Sequence, residues 1–267
     1  MIKIAMAGAA GRMGKIILQL ASQDKAFKIV GALERSGHPA SGQDIGALLG
    51  GKPFGVKVTN DPEAVLKQAD VLIDFSHFSA VSDHLKAAVR NRTACVIGIT
   101  GLPSAVLKEV RAASKKIPVI QSPNMSVGVN LLFKLADLAG RVLDESYDLE
   151  ISEIHHRMKK DAPSGTALKL LEILAQARGC DPEKDVVYGR EGETGARAKG
   201  KIGVFALRGG DVVGEHTVSF FGDGERVELV HKASSREAFA RGALLAAKFL
   251  AKKKQGLYHM QQVLGMA

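Results

Sequence analysis

The sequence predicts a two-domain α/β protein, in which a doubly wound parallel sheet is joined to a second α+β domain with an open mixed sheet. Short apolar strands alternate with amphipathic helices from residue 2 to residue 120, and a glycine-rich turn directly follows the first strand. The following stretch has one strand, helices and then three strands in succession. At 267 residues the chain is long enough to bury two modest hydrophobic cores.

Composition and charge exclude several classes of protein. No segment approaches the roughly 18 uninterrupted apolar residues of a membrane span. Glycine and arginine interrupt the N-terminal apolar run where a secretory signal needs its core, and Cys95 and Cys180 are expected to be reduced thiols, so a cytoplasmic protein is expected. The net charge of +9 is dispersed except at Lys252 to Lys254 and is not interleaved with aromatic residues. The charge is compatible with nucleic acid, but a field that attracts small polyanions explains it equally well, and no nucleic-acid or membrane partner is predicted.

The first predicted element is an apolar strand from Ile2 to Ala7, followed by the glycine turn GAAGRMG at Gly8 to Gly14. Ile16, Ile17 and Leu20 continue at helical spacing, and a strand, glycine turn and helix in this order typically place a pyrophosphate on the helix N-terminus. The turn departs from G-x-G-x-x-G, because Ala9 stands where the first glycine is expected. The pattern predicts a Rossmann-type dinucleotide site at Gly8, Ala9, Ala10, Gly11, Arg12 and Met13.

The second predicted strand, Phe27 to Leu33, ends in two charged residues. Glu34 lies about 20 residues past the glycine turn, the usual position of the acid that binds the adenosine ribose. Arg35 follows and is placed to bind a 2′-phosphate, although a solvated strand end would also explain the pair. The combination predicts that both NADH and NADPH are accepted.

Further strands are predicted at Val56 to Thr59, Val71 to Asp74, Ala94 to Ile99 and Val119 to Ile120, with helices between them. Ligands of such sheets bind outside the carboxyl ends of the strands. The residues predicted at those ends are Asp74 to Ser76, Gly98, Ile99, Thr100, Ser122, Pro123, Asn124 and Met125. Turn residues without a binding role remain the alternative. His77 is predicted to lie in a loop, and its contact with a ligand is left open.

The second half begins with a helix from Ser126, where the domains are expected to meet. An alternating strand then leads to His155 and His156, Lys159 and Lys160 follow in a turn, and Ser164 opens a helix that extends to about Ala177. The N-terminus of this helix, at Gly165 and Thr166, is suited to bind a carboxylate or phosphate. The two imidazoles and the lysine add a proton donor and a positive charge. Together they predict a site that protonates an anionic substrate.

Two alternatives compete with this interpretation of the His-His segment. The histidines could form a metal pair, or they could be inert loop residues beside a solvated lysine turn. Adjacent residues at a strand end point to opposite faces, and no cysteine or acid lies at ligand spacing with them, so no metal is predicted.

The remaining segments complete the predicted domains. A glycine- and charge-rich loop spans residues 189 to 200, and strands follow at Ile202 to Leu207, His216 to Phe221 and Val227 to His231. The last amphipathic helix covers Ser234 to Leu250. The expected division is a dinucleotide-binding domain of residues 1–125 and 236–267, and a substrate-binding and oligomerisation domain of residues 126–235. Two chain crossings would permit closure over the substrate.

Four strings in the sequence resemble those of the 4-hydroxy-tetrahydrodipicolinate reductase (dihydrodipicolinate reductase) family, and the resemblance spans essentially the whole chain. The strings are EISEIHHRMKKDAPSGTA at 150–167, GAAGRMG at 8–14, SPNMSVGVN at 122–130 and GEHTVSFFGDGERVELVHKASSR at 214–236. The resemblance implies NAD(P)H-dependent reduction of 4-hydroxy-2,3,4,5-tetrahydrodipicolinate, via dihydrodipicolinate, in lysine and diaminopimelate biosynthesis.

The resemblance also implies roles for individual residues. His155 matches the family's acid/base and Lys159 its second proton donor, while His156, Gly165 and Thr166 match substrate-binding positions. Residues 98–100 and 122–125 match the nicotinamide side, and the last helix matches one that returns to the cofactor domain. A homotetramer built through the open sheet is further implied. The role of Lys160 is left open.

Two other functions remain possible from the sequence. One is another nicotinamide-dependent oxidoreductase that acts on an amino or imino acid. The other is a non-catalytic redox sensor that binds a dinucleotide and nucleic acid, although no helix-turn-helix with a basic recognition face is found in the sequence. The preference between NADPH and NADH, and whether the enzyme itself removes water from the substrate, are not predicted.

Overall fold

The computed structural model of the protein describes residues 1–266. The chain forms two compact units. The first unit comprises Met1–Val127 together with the chain from Arg236 onward, and the second comprises Gly128–Ser235. Among the described residues, every helix is too short or too polar to cross a lipid bilayer.

Twelve strands and nine helices make up the described chain. The strands are β1 (Ile2–Ala7), β2 (Phe27–Leu33), β3 (Val58–Thr59), β4 (Val71–Asp74), β5 (Ala94–Ile97), β6 (Pro118–Gln121), β7 (Asp148–His155), β8 (Val186–Tyr188), β9 (Ile202–Arg208), β10 (Gly214–Gly222), β11 (Glu225–Ala233) and β12 (Gly256–Tyr258). The helices are α1 (Arg12–Gln23), α2 (Ile45–Leu48), α3 (Pro62–Leu66), α4 (Phe78–Asn91), α5 (Ser104–Ser114), α6 (Val127–Val142), α7 (Gly165–Arg178), α8 (Glu237–Leu250) and α9 (Met260–Val263).

The first unit is built on a seven-stranded sheet in the order β12-β6-β5-β4-β1-β2-β3. Every strand pairing in it is parallel. Strands β1 to β6 therefore have the order 3-2-1-4-5-6 of a doubly wound dinucleotide-binding sheet, with its switch point between β1 and β4. The predicted fold class of this half is confirmed.

Both faces of this sheet are covered by helices. Along β1, Ile4 and Met6 enter one hydrophobic core and Ala5 and Ala7 enter the other. Strands buried on both faces are typical of parallel sheets with right-handed helical crossovers. Helix α8 contributes Ala240, Ala243 and Leu244 to the core on the Ile4 side, so the last long helix packs in the first unit.

The second unit contains a five-stranded mixed sheet in the order β11-β10-β7-β9-β8. Strand β10 is antiparallel to β7 and β11, whereas β9 is parallel to β7 and β8. Helices α6 and α7 pack on one face, where Phe133, Ile151, Leu170 and Phe220 share one core. The predicted open mixed sheet is confirmed.

Several short elements were not predicted. Strands β8 and β12 have three residues each, and α2 and α9 have four residues each. Such segments are too short to display a hydrophobic period, so only their pairing partners define them. Strand β3 is also two residues shorter than the predicted Val56 to Thr59. The Gly222-Asp-Gly224 turn does connect β10 to β11, with Gly224 at a φ of 86°.

Candidate active site

The glycine turn lies between the end of β1 and the start of α1. Gly11 is the N-cap residue of α1, and no side chain caps the helix. The backbone N–H groups of its first turn, including those of Arg12 and Met13, therefore receive no hydrogen-bond acceptor from the side chain of the N-cap residue. A helix N-terminus of this kind is an anion-binding site.

Two glycines allow the turn to fit against its neighbours. Gly8 has a φ of 76°, and a Cβ added to it would lie 2.8 Å from the backbone oxygen of Phe75, directly after β4. A Cβ added to Gly14 would lie 2.1 Å from the backbone oxygen of Gly8. The turn consequently passes close to β4 and to its own helix, which brings backbone rather than side chains to the switch point.

A cleft of about 600 Å³ opens beside this turn. Its lining includes, from the residues singled out in the sequence, Gly8, Ala10, Gly11, Glu34, Arg35 and His77. Ala9 is buried, Arg12 is exposed and Met13 is half-buried. His77 is also the N-cap residue of α4, where its side chain accepts from the Ser79 N–H. An open parallel sheet binds its ligand in the crevice at its switch point, and this cleft lies there.

Gly98, Ile99 and Thr100 follow β5, and Ser122 to Met125 follow β6, at the same carboxyl edge of the sheet. They lie outside the lining of the cleft. A Cβ on Gly98 would meet the Phe75 ring at 2.2 Å, so Gly98 is required for packing as well. The Ser122 hydroxyl donates to the Asn124 carbonyl oxygen at 2.7 Å, and Met125 is buried. Ser122 therefore stabilises the turn before α6.

In the second unit, β7 alternates buried and half-buried residues and ends at His155. Its buried positions are Leu149, Ile151, Glu153 and His155. Glu153 is completely buried, and its Oε2 lies 2.6 Å from Nδ1 of His155. A carboxylate thus occupies an apolar position of the strand in order to reach the histidine two residues later.

Glu153 also binds two other segments. Its Oε1 accepts from the backbone N–H of Ser164 at 2.9 Å. The guanidinium of Arg208 on β9 donates to both carboxylate oxygens, at 2.8 and 2.9 Å. One carboxylate therefore joins β7, β9 and the start of α7.

The charges of this cluster follow from these contacts. Burial raises the pKa of Glu153, but the hydrogen bonds from Arg208, His155 and Ser164 outweigh burial and bring the pKa below its ordinary value. Burial lowers the pKa of His155, and the hydrogen bond and charge of Glu153 offset that effect only in part. Near neutral pH the carboxylate is therefore ionised and the His155 imidazole is mainly neutral.

A third histidine completes the cluster. His216 lies directly opposite Glu153 in the antiparallel pairing of β10 with β7. Its Nε2 is 3.0 Å from the hydroxyl of Ser164, and its ring contacts the His155 ring edge to face, with centroids 5.2 Å apart. Burial lowers the pKa of His216 to about 3, so this imidazole is neutral.

Helix α7 begins at this cluster. Ser164 is its N-cap residue and accepts from the Ala167 N–H at 3.1 Å. Thr166 is buried, whereas a Cβ added to Gly165 would meet nothing within 4 Å. Open space therefore lies over the first residue of the helix, where its partial positive charge favours an anion.

The two lysines of the preceding loop differ in their surroundings. Lys159 is half-buried, and its Nζ lies 2.8 and 2.9 Å from the two oxygens of Asp161. The backbone oxygen of Asp161 accepts from Arg208 at 2.7 Å. Lys160 is exposed. Lys159 is thus the lysine that the surrounding contacts hold in a fixed position.

The structure brings His155, Lys159, Gly165 and Thr166 into one region of the second unit, with half-buried His156 beside them. The connections run through Glu153, Arg208 and Ser164. The sequence predicted Ser164 only as the start of a helix and His216 only as the start of a strand, and none of the four was predicted as a residue of the site. One signal was available for Glu153, because it occupies the apolar phase of an alternating strand. Arg208 and His216 have no such signal, since only strand pairing brings them to the site.

The strand order, the glycine turn and the cleft define the class of the protein as one with a Rossmann-type dinucleotide-binding unit. The family model described as "Dihydrodipicolinate reductase, N-terminus" matches residues 2–125, and the one described as "Dihydrodipicolinate reductase, C-terminus" matches residues 128–264. The chain therefore belongs to the dihydrodipicolinate reductase family.

Individual relatives agree with this assignment. The 4-hydroxy-tetrahydrodipicolinate reductase of Anaeromyxobacter dehalogenans (strain 2CP-C) is 50% identical over 266 residues, which cover 100% of this chain and 98% of the relative. The enzyme of that name from Syntrophobacter fumaroxidans is 48% identical and is covered completely, as is this chain. The dipicolinate-bound dihydrodipicolinate reductase from Paenisporosarcina sp. TG-14 superimposes with a TM-score of 0.77 at 26% identity, with 98% of each chain covered.

Proposed function

We propose that this protein is an NAD(P)H-dependent 4-hydroxy-tetrahydrodipicolinate reductase. It would reduce 4-hydroxy-2,3,4,5-tetrahydrodipicolinate, via dihydrodipicolinate, to tetrahydrodipicolinate in lysine and diaminopimelate biosynthesis. The observation that carries the proposal is the buried His155, held by Glu153 beside the open N-terminus of α7. The full-length similarity to relatives with this name supports the same reaction.

His155 is proposed as the acid/base group. Its Nδ1 is bonded to Glu153, so Nε2 is the ring nitrogen left to exchange a proton with a ligand. A Cβ added to Gly214 would lie 3.0 Å from this Nε2, so a glycine at this position leaves room beside it. When bound, a reduced nicotinamide supplies the hydride for C4 of the unsaturated ring. The reduced ring then requires one proton, for which His155 is the proposed donor when it is protonated at Nε2, with Lys159 as a second donor.

The second unit has the features that a planar dicarboxylate requires. The backbone of Gly165 and Thr166 at the start of α7 is proposed to bind one carboxylate. His156 is half-buried beside this helix start and is proposed to bind the substrate too. The positive charge of the Lys159-Lys160 turn is proposed to attract the other carboxylate.

The first unit is proposed as the dinucleotide-binding domain for both NADH and NADPH. The glycine turn at residues 8–13 suits a pyrophosphate, because Gly8, Ala10 and Gly11 line the cleft and α1 has no side-chain cap. Glu34 is proposed to bind the adenosine ribose and Arg35 a 2′-phosphate. Gly98 to Thr100 and Ser122 to Met125, farther along the same sheet edge, are proposed to line the nicotinamide.

The second unit is proposed as the substrate-binding and oligomerisation domain of a cytoplasmic homotetramer. The sheet face that α6 and α7 do not cover presents Glu150, Arg190, Arg197, Phe205 and Phe221 around a shallow depression. Apolar residues beside complementary charges suit a surface that meets its own copy. We propose no nucleic-acid or membrane partner.

A coupled assay tests the proposed reaction. A synthase generates the substrate from pyruvate and aspartate semialdehyde, and the loss of reduced-nicotinamide absorbance is followed for the wild type and for His155→Ala. We expect rapid oxidation of NADH and NADPH that the substitution suppresses. A protein that binds the cofactor but oxidises neither form in the presence of substrate would refute the assignment.

A further inference from the structure

We propose that Glu153 is a positioning residue for His155, and that Arg208 tunes how strongly Glu153 promotes protonation of the histidine. The inference rests on the proposed function in one respect, because it assumes that His155 is the group that exchanges a proton with the substrate. The geometry itself stands without that assumption.

The contacts of Glu153 use both of its oxygens. Oε2 meets His155 Nδ1 at 2.6 Å and an Arg208 nitrogen at 2.8 Å. Oε1 meets the Ser164 N–H and the second Arg208 nitrogen, both at 2.9 Å. The carboxylate can accept but cannot donate, so it fixes the hydrogen of neutral His155 on Nδ1. It also fixes the plane of the ring and keeps Nε2 free.

Stability alone is a poor explanation for this arrangement. A completely buried carboxylate carries a large desolvation cost, and a buried ion pair is often no more stable than apolar residues of the same volume. An apolar residue at position 153 would continue the run of Leu149 and Ile151 on the same face. The contact with His155 explains why a carboxylate occupies this position.

Four groups face His155 from the elements around it. Glu153 on its own strand contributes a negative charge, and Arg208 on β9 and Lys159 in the following loop contribute positive charges. His216 on β10 contacts the ring and is neutral. Removing the charge of Glu153 would leave His155 beside two cations and lower its proton affinity. Removing the charge of Arg208 would leave Glu153 without its counterion and raise that affinity.

The same carboxylate couples the histidine to the proposed substrate site. Its bond to Ser164 holds the residue that caps α7, and Ser164 in turn contacts His216. A glutamine at position 153 has only one acceptor oxygen, so it cannot accept from both His155 and Ser164 in the present geometry. An aspartate keeps the charge but is one methylene shorter. Glu153→Gln therefore tests the charge of the side chain, and Glu153→Asp tests its length.

The test is an NMR titration of the histidine rings in ¹⁵N-histidine-labelled full-length protein without substrate. The His155 signals are assigned from their loss in His155→Asn, and spectra are compared for the wild type, Glu153→Gln, Arg208→Gln and Glu150→Gln. Glu150→Gln is the matched control, because Glu150 lies on the same strand and also binds two arginines, Arg190 and Arg197. We expect the Nδ1–H tautomer in the wild type.

Glu153→Gln should lower the pKa of His155 by about one unit or more, and Arg208→Gln should raise it by a similar amount. Glu150→Gln should leave it unchanged. Shifts of opposite sign support the proposal, because general loosening of the fold would not produce them. An unchanged His155 pKa in folded Glu153→Gln, or shifts of the same sign in both variants, would overturn it. If circular dichroism shows that Glu153→Gln is unfolded, Arg208→Gln and Glu153→Asp test the proposal instead. Arg208→Gln must then raise the pKa of His155, and Glu153→Asp must largely preserve it. The proposal fails if either result is not obtained.

The pH profile of turnover separates this inference from the proposed function. If His155 acts as the proton donor, the limb on which turnover falls with rising pH should move to lower pH in Glu153→Gln and to higher pH in Arg208→Gln. If the NMR titrations show the expected pKa shifts but neither pH profile moves, Glu153 positions His155 as proposed. His155 is then not the proton donor of the reaction.

Discussion

Oε1 of Glu34 accepts a hydrogen bond from the backbone N–H of Ala10, with the two atoms 2.8 Å apart. This bond ties the end of β2 to the glycine turn, and it leaves the second oxygen of the carboxylate available for a ribose hydroxyl. The exposed side chain of Arg35 follows directly and lines the same cleft. Two adjacent residues at this strand end thus line the cleft that is proposed to bind the cofactor.

Replacing Arg35 should reduce the affinity for NADPH selectively. In Arg35→Ala we expect the dissociation constant of NADPH to rise about tenfold or more, because a charge-assisted contact with the 2′-phosphate is lost. The constant for NADH should change by no more than about twofold. Isothermal titration calorimetry measures both, with Arg111→Ala on α5 as a control for lost surface charge. Equal weakening of the two cofactors would contradict this role.

Gly8→Ala should damage both stability and cofactor binding. The substitution combines a φ of 76° with a Cβ only 2.8 Å from the Phe75 backbone oxygen. Gly55→Ala is the matched control, because Gly55 has a φ of 74° but open space around its Cβ position. We expect a loss of roughly 1 kcal/mol of unfolding free energy for the control and at least about 2 kcal/mol for Gly8→Ala. Urea unfolding measures both, and equal losses would show that the close contact is unimportant.

Removing the Lys159 charge should impair turnover. In Lys159→Gln we expect turnover to fall by about a hundredfold or more, as for the loss of a general acid. Lys160→Gln, which alters the exposed neighbour, should have a much smaller effect. The coupled assay at saturating cofactor provides the rates. Near-wild-type turnover in Lys159→Gln would eliminate this lysine as a proton donor.

Gly165→Ala should affect substrate binding without affecting the fold. The added Cβ would meet nothing within 4 Å, and alanine is a better helix former than glycine, so the melting temperature should be unchanged or slightly higher. If the space over the start of α7 holds a carboxylate of the substrate, KM should rise by about tenfold or more. A marked loss of thermal stability, or an unchanged KM, would contradict this picture.

His216 should make the protein less stable as the pH falls below neutrality. Burial lowers its folded-state pKa to about 3, whereas an unfolded histidine has an ordinary value near 6.5. The neutral form is therefore favoured on folding. The resulting stabilisation is complete above the unfolded pKa and is lost progressively as the pH falls from about 6.5 toward 3.

Urea unfolding at about pH 7.5 and about pH 5.5 tests this dependence. His216 alone should lower the free energy of unfolding by about 1 kcal/mol between the two pH values. The variant His216→Gln should be less stable near neutral pH, because its contact with Ser164 is altered. Its loss of stability between the two pH values should nevertheless be smaller than that of the wild type by about 1 kcal/mol. The same pH dependence in both proteins would show that His216 does not remain neutral in the folded state.

The longer elements of the fold are predictable because each carries a repeated local signal. Burial on both faces makes residues 4–7 of β1 and residues 71–73 of β4 continuous apolar runs, and Ser164 caps α7 where the sequence places an N-terminus. Strand β12 gives no comparable signal. Its three residues become a strand only because Gly256 to Tyr258 pair with Pro118 to Ile120 of β6.

By itself, the sequence determined the strand-turn-helix units and the groups that they carry, namely the glycine turn with Glu34 and the His155 segment before α7. Each is local, because turn chemistry and helix caps act over a few residues. The tertiary structure alone decided what surrounds His155. Arg208 is 55 positions from Glu153, and His216 is 52 positions from Ser164. The pairing of β9 and β10 with β7 brings them to the site, because side chains at neighbouring positions of paired strands stand side by side on one face of the sheet.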